Sequence, residues 1–263
     1  MSNSIVIAVV VVAVIGIIAG AGLSIASALM AVPKDERAEK VLEHLPGANC
    51  GACGYSGCAG YAAAVASGEA QNGLCVPGGT EAANKISRAL GLAKADVKRK
   101  VAIVHCLGTY DNTSDKIEYQ GVNSCAAAMQ LYGGVASCQF GCVGLGDCAR
   151  ACPYNAIMVC NGVSTVDGSI CKGCGICVAT CPKGIISLVE PGHACVLCSS
   201  RVKGGETRKV CKAGCLGCMK CTKVCESGAI TVTDFCASVD YDKCTKCGKC
   251  VETCPAHIVH IEK

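Results

Sequence analysis

The residue through which this chain could do chemistry is cysteine, and its spacing says which chemistry. Cys171, Cys174, Cys177 and Cys181 form a C-x2-C-x2-C-x3-C run followed by Pro182, and Cys244, Cys247, Cys250 and Cys254 repeat it before Pro255. Cysteines three residues apart on one loop can wrap three corners of an iron-sulfide cube. The fourth then begins a helix pointing at a neighbouring cube, and the proline fixes that helix start.

Cross-ligation of this kind, the pattern of bacterial ferredoxins, asks for a partner cysteine in each module. Cys152, before Pro153, is expected to complete Cys171, Cys174 and Cys177, while Cys181 completes Cys138, Cys142 and Cys148. In the second module Cys225 is expected to complete Cys244, Cys247 and Cys250, and Cys254 to complete Cys215, Cys218 and Cys221, whose three-residue spacing is the better wrap than the set Cys211, Cys215 and Cys221 that the repeat offset also allows. Glu226 stands where a proline would follow Cys225, which affects the local helix start more than the ligation. Upstream, Cys50, Cys53, Cys58 and Cys75 make a further four-ligand set. Zinc is the rival there, because spacing alone does not separate the metals. The Cys-Pro runs suit zinc poorly, since structural zinc takes two separated pairs. Five 4Fe-4S clusters are therefore expected.

Three cysteines, Cys195, Cys198 and Cys211, remain as ligands seeking a fourth, which leaves a sixth cluster open. Cys106, Cys125, Cys160 and Cys236 lack ligand spacing and read as small apolar core residues, with Cys106 and Cys125 the first exceptions to consider. No Gly-x-Gly-x-x-Gly fingerprint, P-loop or His-rich site is present, so no catalytic residue is assigned. Ser227–Thr231 faintly resembles a covalent flavin attachment sequence, but the internal repeat aligns it with the ordinary ferredoxin pattern.

The elements that must position these thiols follow from the rest of the chain. Cys152, Cys171, Cys174, Cys177 and Cys181 recur 73 residues later as Cys225, Cys244, Cys247, Cys250 and Cys254, so two copies of one unit follow each other. Each copy fits a small α+β module with short strands near 156–159 and 229–232. Residues 34–45 read as a helix, as does 80–90 with Thr80 as its N-cap; 101–104 reads as a strand, and 125–132 as a helix stopped by Gly133-Gly134. From residue 5 to 32 there is no charged side chain, enough to cross about 30 Å of hydrocarbon as one helix. No basic residue precedes that span whereas Lys34, Arg37 and Lys40 follow it, so a single pass through the cell (inner) membrane is expected, with the bulk of the chain on the cytoplasmic side. The absence of a basic n-region argues against a cleaved signal.

Composition agrees. The 263 residues include 27 cysteines and 32 glycines but no Trp and two Phe, so an aromatic-rich core is excluded and bound metal is the expected source of stability. An odd cysteine count rules out full disulfide pairing, and a reducing compartment favours metal ligation. A formal charge of +4 without a basic run gives no case for nucleic acid.

The expected layout is therefore α+β: a transmembrane anchor at 1–33, a small helical four-cysteine module at 34–93, a connector at 94–134, and ferredoxin-like modules at 135–190 and 191–263. A membrane helix, then Cys50-x2-Cys53-x4-Cys58-x16-Cys75, then Cys138-x3-Cys142-x5-Cys148-x3-Cys152-Pro153 and tandem ferredoxin runs resembles the B subunit of Rnf ion-translocating electron transport complexes, in its longer form. The resemblance covers the whole chain. It implies electron entry from reduced ferredoxin and relay through 4Fe-4S clusters toward flavin-carrying subunits and a subunit reducing NAD. Sodium or proton translocation, and the ferredoxin:NAD oxidoreductase activity, then belong to the whole complex. The alternatives are an electron-feeding subunit of another membrane-associated oxidoreductase, or a zinc-stapled adaptor.

Overall fold

The structure, a computed structural model, describes residues 2–29, 35–131 and 133–262. Helix α1, Ser2–Leu29, has no acidic residue in its first turn and no basic one in its last. Its window Val9–Ser27 is long and apolar enough to cross a membrane, and its described side chains lie exposed, as Ile17 and Leu23 do. Residues 30–32 of the expected span, the flanking Lys34, and Tyr132 at the expected end of the connector helix lie outside the described residues.

Three helices build the next unit: α2 (Glu36–Leu42), α3 (Cys58–Ser67) and α4 (Gly79–Leu90). Asp35 caps α2 by accepting the Arg37 N–H at 2.9 Å. Val41, Tyr61, Ala62, Val65 and Ile86 form the core between them. The expected N-cap of α4, Thr80, lies one residue inside the helix. Its hydroxyl instead ties α4 to the segment that follows, donating to Asp96 Oδ1 at 3.1 Å and accepting from the Val97 N–H at 3.2 Å.

The remainder is assembled from short pieces in a repeated order. First come β1 (Val101–Val104), α5 (Cys125–Met129), α6 (Asp147–Arg150), β2 (Ile157–Cys160), β3 (Val163–Val166), α7 (Ile176–Thr180) and β4 (Ile186–Val189). Then follow β5 (Ala194–Val196), α8 (Gly204–Val210), α9 (Lys220–Val224), β6 (Ile230–Thr233), β7 (Cys236–Val239), α10 (Lys249–Thr253) and β8 (Val259–Ile261). All four sheets are antiparallel pairs: β2 with β3 and β6 with β7 as hairpins, β1 with β4 and β5 with β8 as closures. Val101 faces Val189 and Val104 faces Ile186, while Ala194 faces Ile261 and Val196 faces Val259.

The strand β1 is buried at all four residues, a Val/Ile run hidden on both faces. It comes from the stretch read as a connector, yet it closes the sheet of the first ferredoxin-like module. Each module has its own apolar core, into which cysteines are packed beside Ile157, Ile185 and Ile186 in one case and Ile230, Ile258 and Val259 in the other. With cores so small, burying one Ile or Val contributes roughly 1.5–3 kcal/mol. The thiols must therefore be anchored by the loops as well as by packing.

Candidate metal centres

In the N-terminal unit, the loop before α3 carries Cys50 and Cys53, the first residue of α3 is Cys58, and Cys75 returns before α4. Asn49 fixes the loop against the helix, its Oδ1 accepting the Cys58 N–H at 2.8 Å. The Tyr61 hydroxyl accepts the Leu74 N–H at 3.2 Å and donates to the Gln71 carbonyl at 3.1 Å, holding the segment that bears Cys75. The four thiols face one another, and burial pushes Cys75 up, with Cys58, Cys53 and Cys50 adding to the effect as neighbouring charges.

In the first ferredoxin-like module, Cys152, Cys171, Cys174 and Cys177 line one cavity. Backbone N–H groups reach two of these sulfurs at 3.4 Å, from Ala102 to Cys171 and from Ala156 to Cys152. Burial drives Cys177 up to about 12 and raises Cys174. Buried thiols of this kind ionise only beside compensating positive charge, which a bound metal centre provides.

The neighbouring cavity is lined by Cys125, Cys142, Cys148 and Cys181. The Cys142 and Cys148 sulfurs both face the Ser164 hydroxyl, at 3.9 and 3.2 Å. Cys125 is delivered by α5, whose start is held by the Ser124 hydroxyl donating to Asp147 Oδ2 at 3.0 Å and by the Ala126 N–H donating to the same oxygen at 3.1 Å. Of the set expected from spacing, Cys142, Cys148 and Cys181 line this cavity, whereas Cys138 lines the adjoining one with Cys106, Cys198 and Cys211, and Cys142 borders both. Cys106 and Cys125, the first exceptions to the core reading of the unspaced cysteines, both stand in thiol-lined cavities, whereas Cys160, read as core, is exposed.

In the second module Cys215, Cys218, Cys221 and Cys254 line one cavity. Cys225, Cys244, Cys247 and Cys250 form the other group, with Cys250 raised by burial and by the three neighbouring thiols. Burial pushes Cys221 up to about 11. Cys225 is also desolvated, but hydrogen bonds from Ser227 and from the backbone of Ile230 and Ala229 outweigh that and leave its thiol below the usual range.

Cys195 departs from the expected trio with Cys198 and Cys211. It lies in β5, wholly buried, with its sulfur 3.6 Å from the His193 carbonyl and 4.0 Å from the Tyr241 hydroxyl. Cys160 is exposed at the end of β2. Cys236 keeps its proton against Cys198 and Cys215, which pushes Cys236 far up and holds Cys198 and Cys215 below the usual thiol range.

Neighbouring groups are close to one another. Cys174 and Cys50 interact as charges, and the half-buried Tyr154, whose hydroxyl is itself buried, feels both of them along with Cys75 and Cys58. Cys177 interacts with Cys148 of the next cavity. Among the described residues no three His, Cys, Asp or Glu side chains converge as ligands of one ion do. In both ferredoxin-like modules thiols stand around cavities instead, the arrangement that a cube with an iron at each ligated corner requires, so the residues fit 4Fe-4S clusters.

Comparison with known proteins agrees with this chemistry. Residues 45–77 match a family model described as "Putative Fe-S cluster", and 4Fe-4S binding domain models match residues 164–187, 237–260 and 215–229. The chain is 40% identical over 261 residues to the B subunit of the Na(+)-translocating ferredoxin:NAD(+) oxidoreductase complex of Acetobacterium woodii, covering 98% of this chain and 78% of that protein. It is 37% identical over 263 residues to the B subunit of the ion-translocating oxidoreductase complex of Methanosarcina acetivorans, covering 99% of this chain and all of that one. The chain belongs to the family of Rnf complex B subunits. The B subunit of the proton-translocating ferredoxin:NAD(+) oxidoreductase complex of Clostridium ljungdahlii is likewise 37% identical, over 96% of this chain and 91% of its own length. As an Rnf B-type chain it joins one apolar N-terminal helix to an Fe-S module and tandem 4Fe-4S ferredoxin domains. The family models leave Cys106, Cys125, Cys138 and Cys142 outside their matched residues. No local spacing marked Cys106 and Cys125; only the folded arrangement places them.

Proposed function

We propose that this chain is the electron-relay subunit of an Rnf-type complex, receiving electrons from reduced ferredoxin and passing them toward flavin-carrying subunits and the subunit that reduces NAD. The observation that carries the proposal is the succession of four-thiol groups. The group of Cys50, Cys53, Cys58 and Cys75 adjoins that of Cys152, Cys171, Cys174 and Cys177, which adjoins that of Cys125, Cys142, Cys148 and Cys181. The groups of Cys215, Cys218, Cys221 and Cys254, and of Cys225, Cys244, Cys247 and Cys250, continue it in the second module. A bound 4Fe-4S cluster takes up or releases one electron at a time, at a potential set by hydrogen bonds to its sulfurs and by exposure.

The protein's own part is to ligate, space and shield. The N–H donors to Cys152 and Cys171 stabilise thiolate over thiol, and the apolar cores exclude water from the buried faces. Helix α1 would anchor the relay at the membrane, with Arg37 and Lys40 on the cytoplasmic side. Relatives named for sodium and for proton translocation favour a choice of ion made by the complex rather than by the cysteine framework.

The test is to purify the full chain anaerobically in detergent, determine iron, acid-labile sulfide and zinc, and follow visible absorbance on mixing with reduced ferredoxin. At least about 20 iron with equal sulfide per chain, bleached by reduced ferredoxin, is expected. Zinc without sulfide would overturn the relay.

A further inference from the structure

We infer that Cys106, Cys138, Cys198 and Cys211 hold a further 4Fe-4S cluster at the seam between the two ferredoxin-like modules, two ligands coming from each side. The inference rests on the iron-sulfur reading above and adds to it a site that the matched family models do not cover.

The four thiols share one cavity, with Cys142, which also lines the neighbouring cavity of Cys125, Cys148 and Cys181, as a fifth on its wall. A Cβ placed on Gly108 would lie 3.3 Å from Cys106 Sγ and 4.0 Å from Cys211 Sγ, and one on Gly141 3.5 Å from Cys138 Cβ and 3.7 Å from Cys106 Sγ. Glycine at both positions leaves the space between the sulfurs open.

The site has an internal two-fold logic. Cys106 follows the end of β1 by two residues, and Cys198 follows the end of β5 by two; β1 and β5 play the same part, each closing on the last strand of its module. Cys106 Sγ accepts N–H bonds from Gly108 and Cys142, both at 3.3 Å. Cys198 Sγ accepts them from Ser200 at 3.5 Å and Cys215 at 3.3 Å. Ser200 stands to Cys198 as Gly108 does to Cys106, and Cys215 is the repeat counterpart of Cys142. Cys138 and Cys211 are counterparts as well. The same half-site has thus been built twice and brought face to face.

Two N–H donors on a sulfur suit a thiolate ligand, and the same kind of bond is made to Cys152 and Cys171. The seam is fastened around the cavity: His105 bonds the Val196 carbonyl through Nδ1 at 2.7 Å, the Thr113 hydroxyl donates to the Val210 carbonyl at 2.7 Å, and Ser199 donates to the His105 carbonyl at 2.9 Å. A cluster here would stand between Cys142 of the first module and Cys215 of the second, joining two relays that otherwise end on either side of the seam.

The decisive measurement leaves the site untouched. Three cysteines fall outside the six groups of four, and they are removed together in the full chain as Cys160→Thr, Cys195→Ala and Cys236→Val; the first and last take the residue of the other repeat. Iron and acid-labile sulfide are then counted on anaerobic wild type and variant. About 24 of each in both proteins is expected, because 24 remaining cysteines would then all be ligands. About 20 in wild type overturns the seam cluster while leaving the other five in place. A fall from about 24 to about 20 in the variant assigns the cluster to one of the removed cysteines and overturns this ligand set. About 20 iron plus one zinc overturns it in favour of a mononuclear site, and zinc without sulfide throughout would remove the underlying reading too. As a complement, Cys106→Ala combined with Cys211→Ala should bring iron from about 24 to about 20; an unchanged count would overturn the assignment.

Discussion

The two ferredoxin-like modules share a backbone and differ in what lies against it. At Gly173 the first module has φ +64°, and a Cβ there would sit 2.5 Å from the Lys100 carbonyl oxygen and 3.2 Å from Val76 Cγ1. The counterpart 73 residues on is Lys246, which holds φ 60° with a full side chain whose Nζ reaches the Pro191 carbonyl at 3.0 Å. The pair Gly162 and Phe235 repeats the contrast: Tyr110 atoms would lie 2.8 Å from a Cβ on Gly162, while Phe235 is exposed at φ 62°. Left-handed backbone is required in both modules, but only the first is also covered, by the N-terminal unit and the connector. Glycine is kept where a neighbour closes in, and a larger residue accepts the conformational cost where none does.

Exposure of the thiols follows. Cys171, Cys174 and Cys177 are all buried, whereas Cys247 and Cys218 are exposed and Cys244 is half-buried. The cluster loop of one module lies in the interior, and that of the other is open to solvent.

The largest effect is expected from making the first module resemble the second at its covered position. Gly173→Lys forces a side chain against the Lys100 backbone and should destabilise the docking of the N-terminal unit by several kcal/mol, on the scale of about 3 or more that marks severe core clashes. Thermal unfolding and limited proteolysis within 94–100 report it; wild-type behaviour would break the comparison.

Next is the source of the fourth ligand. Leu145 stands where the second module has Cys218, and Cys125 lines the cavity of Cys142, Cys148 and Cys181 as Cys218 lines that of Cys215, Cys221 and Cys254. Cys125→Ala should cost one cluster, read as loss of about four iron or as a three-iron signal by electron paramagnetic resonance. Adding Leu145→Cys should restore the wild-type count, and failure to rescue would separate the two sites.

A smaller contrast is kinetic. Under anaerobic ferricyanide and chelator, iron held by Cys218 and Cys247 should leave several-fold faster than iron held by Cys171, Cys174 and Cys177, as followed by visible absorbance and by alkylation of the released thiols. Equal rates would mean that burial in the first module offers no protection. The smallest effect is Lys246→Gly, which removes left-handed strain at an open site and should raise stability by about 1 kcal/mol with the iron count unchanged.

Much was legible in the sequence because cluster loops are local. Three ligands within seven residues, as in Cys171, Cys174 and Cys177, need only a turn to converge, so spacing alone identified the loops, the 73-residue repeat and the α+β modules. The apolar stretch that became α1 and the strand Val101–Val104 were readable for the same reason, each being an unbroken run of one character. Spacing could not assign thiols that arrive from separate segments. Spacing groups Cys138 with Cys142, but it gives no sign that Cys125 on α5, held by Ser124 and Asp147, lines the same cavity as Cys142, Cys148 and Cys181. Cys106 carried no local signal at all. It reaches the seam because β1 pairs with β4, with Ala102 facing Leu188 from the far end of the module. Chain-local geometry therefore dictated the kind of cofactor and the cysteine runs, whereas the pairing of distant strands, which no short pattern encodes, decided which thiols from separate segments share a cavity with them.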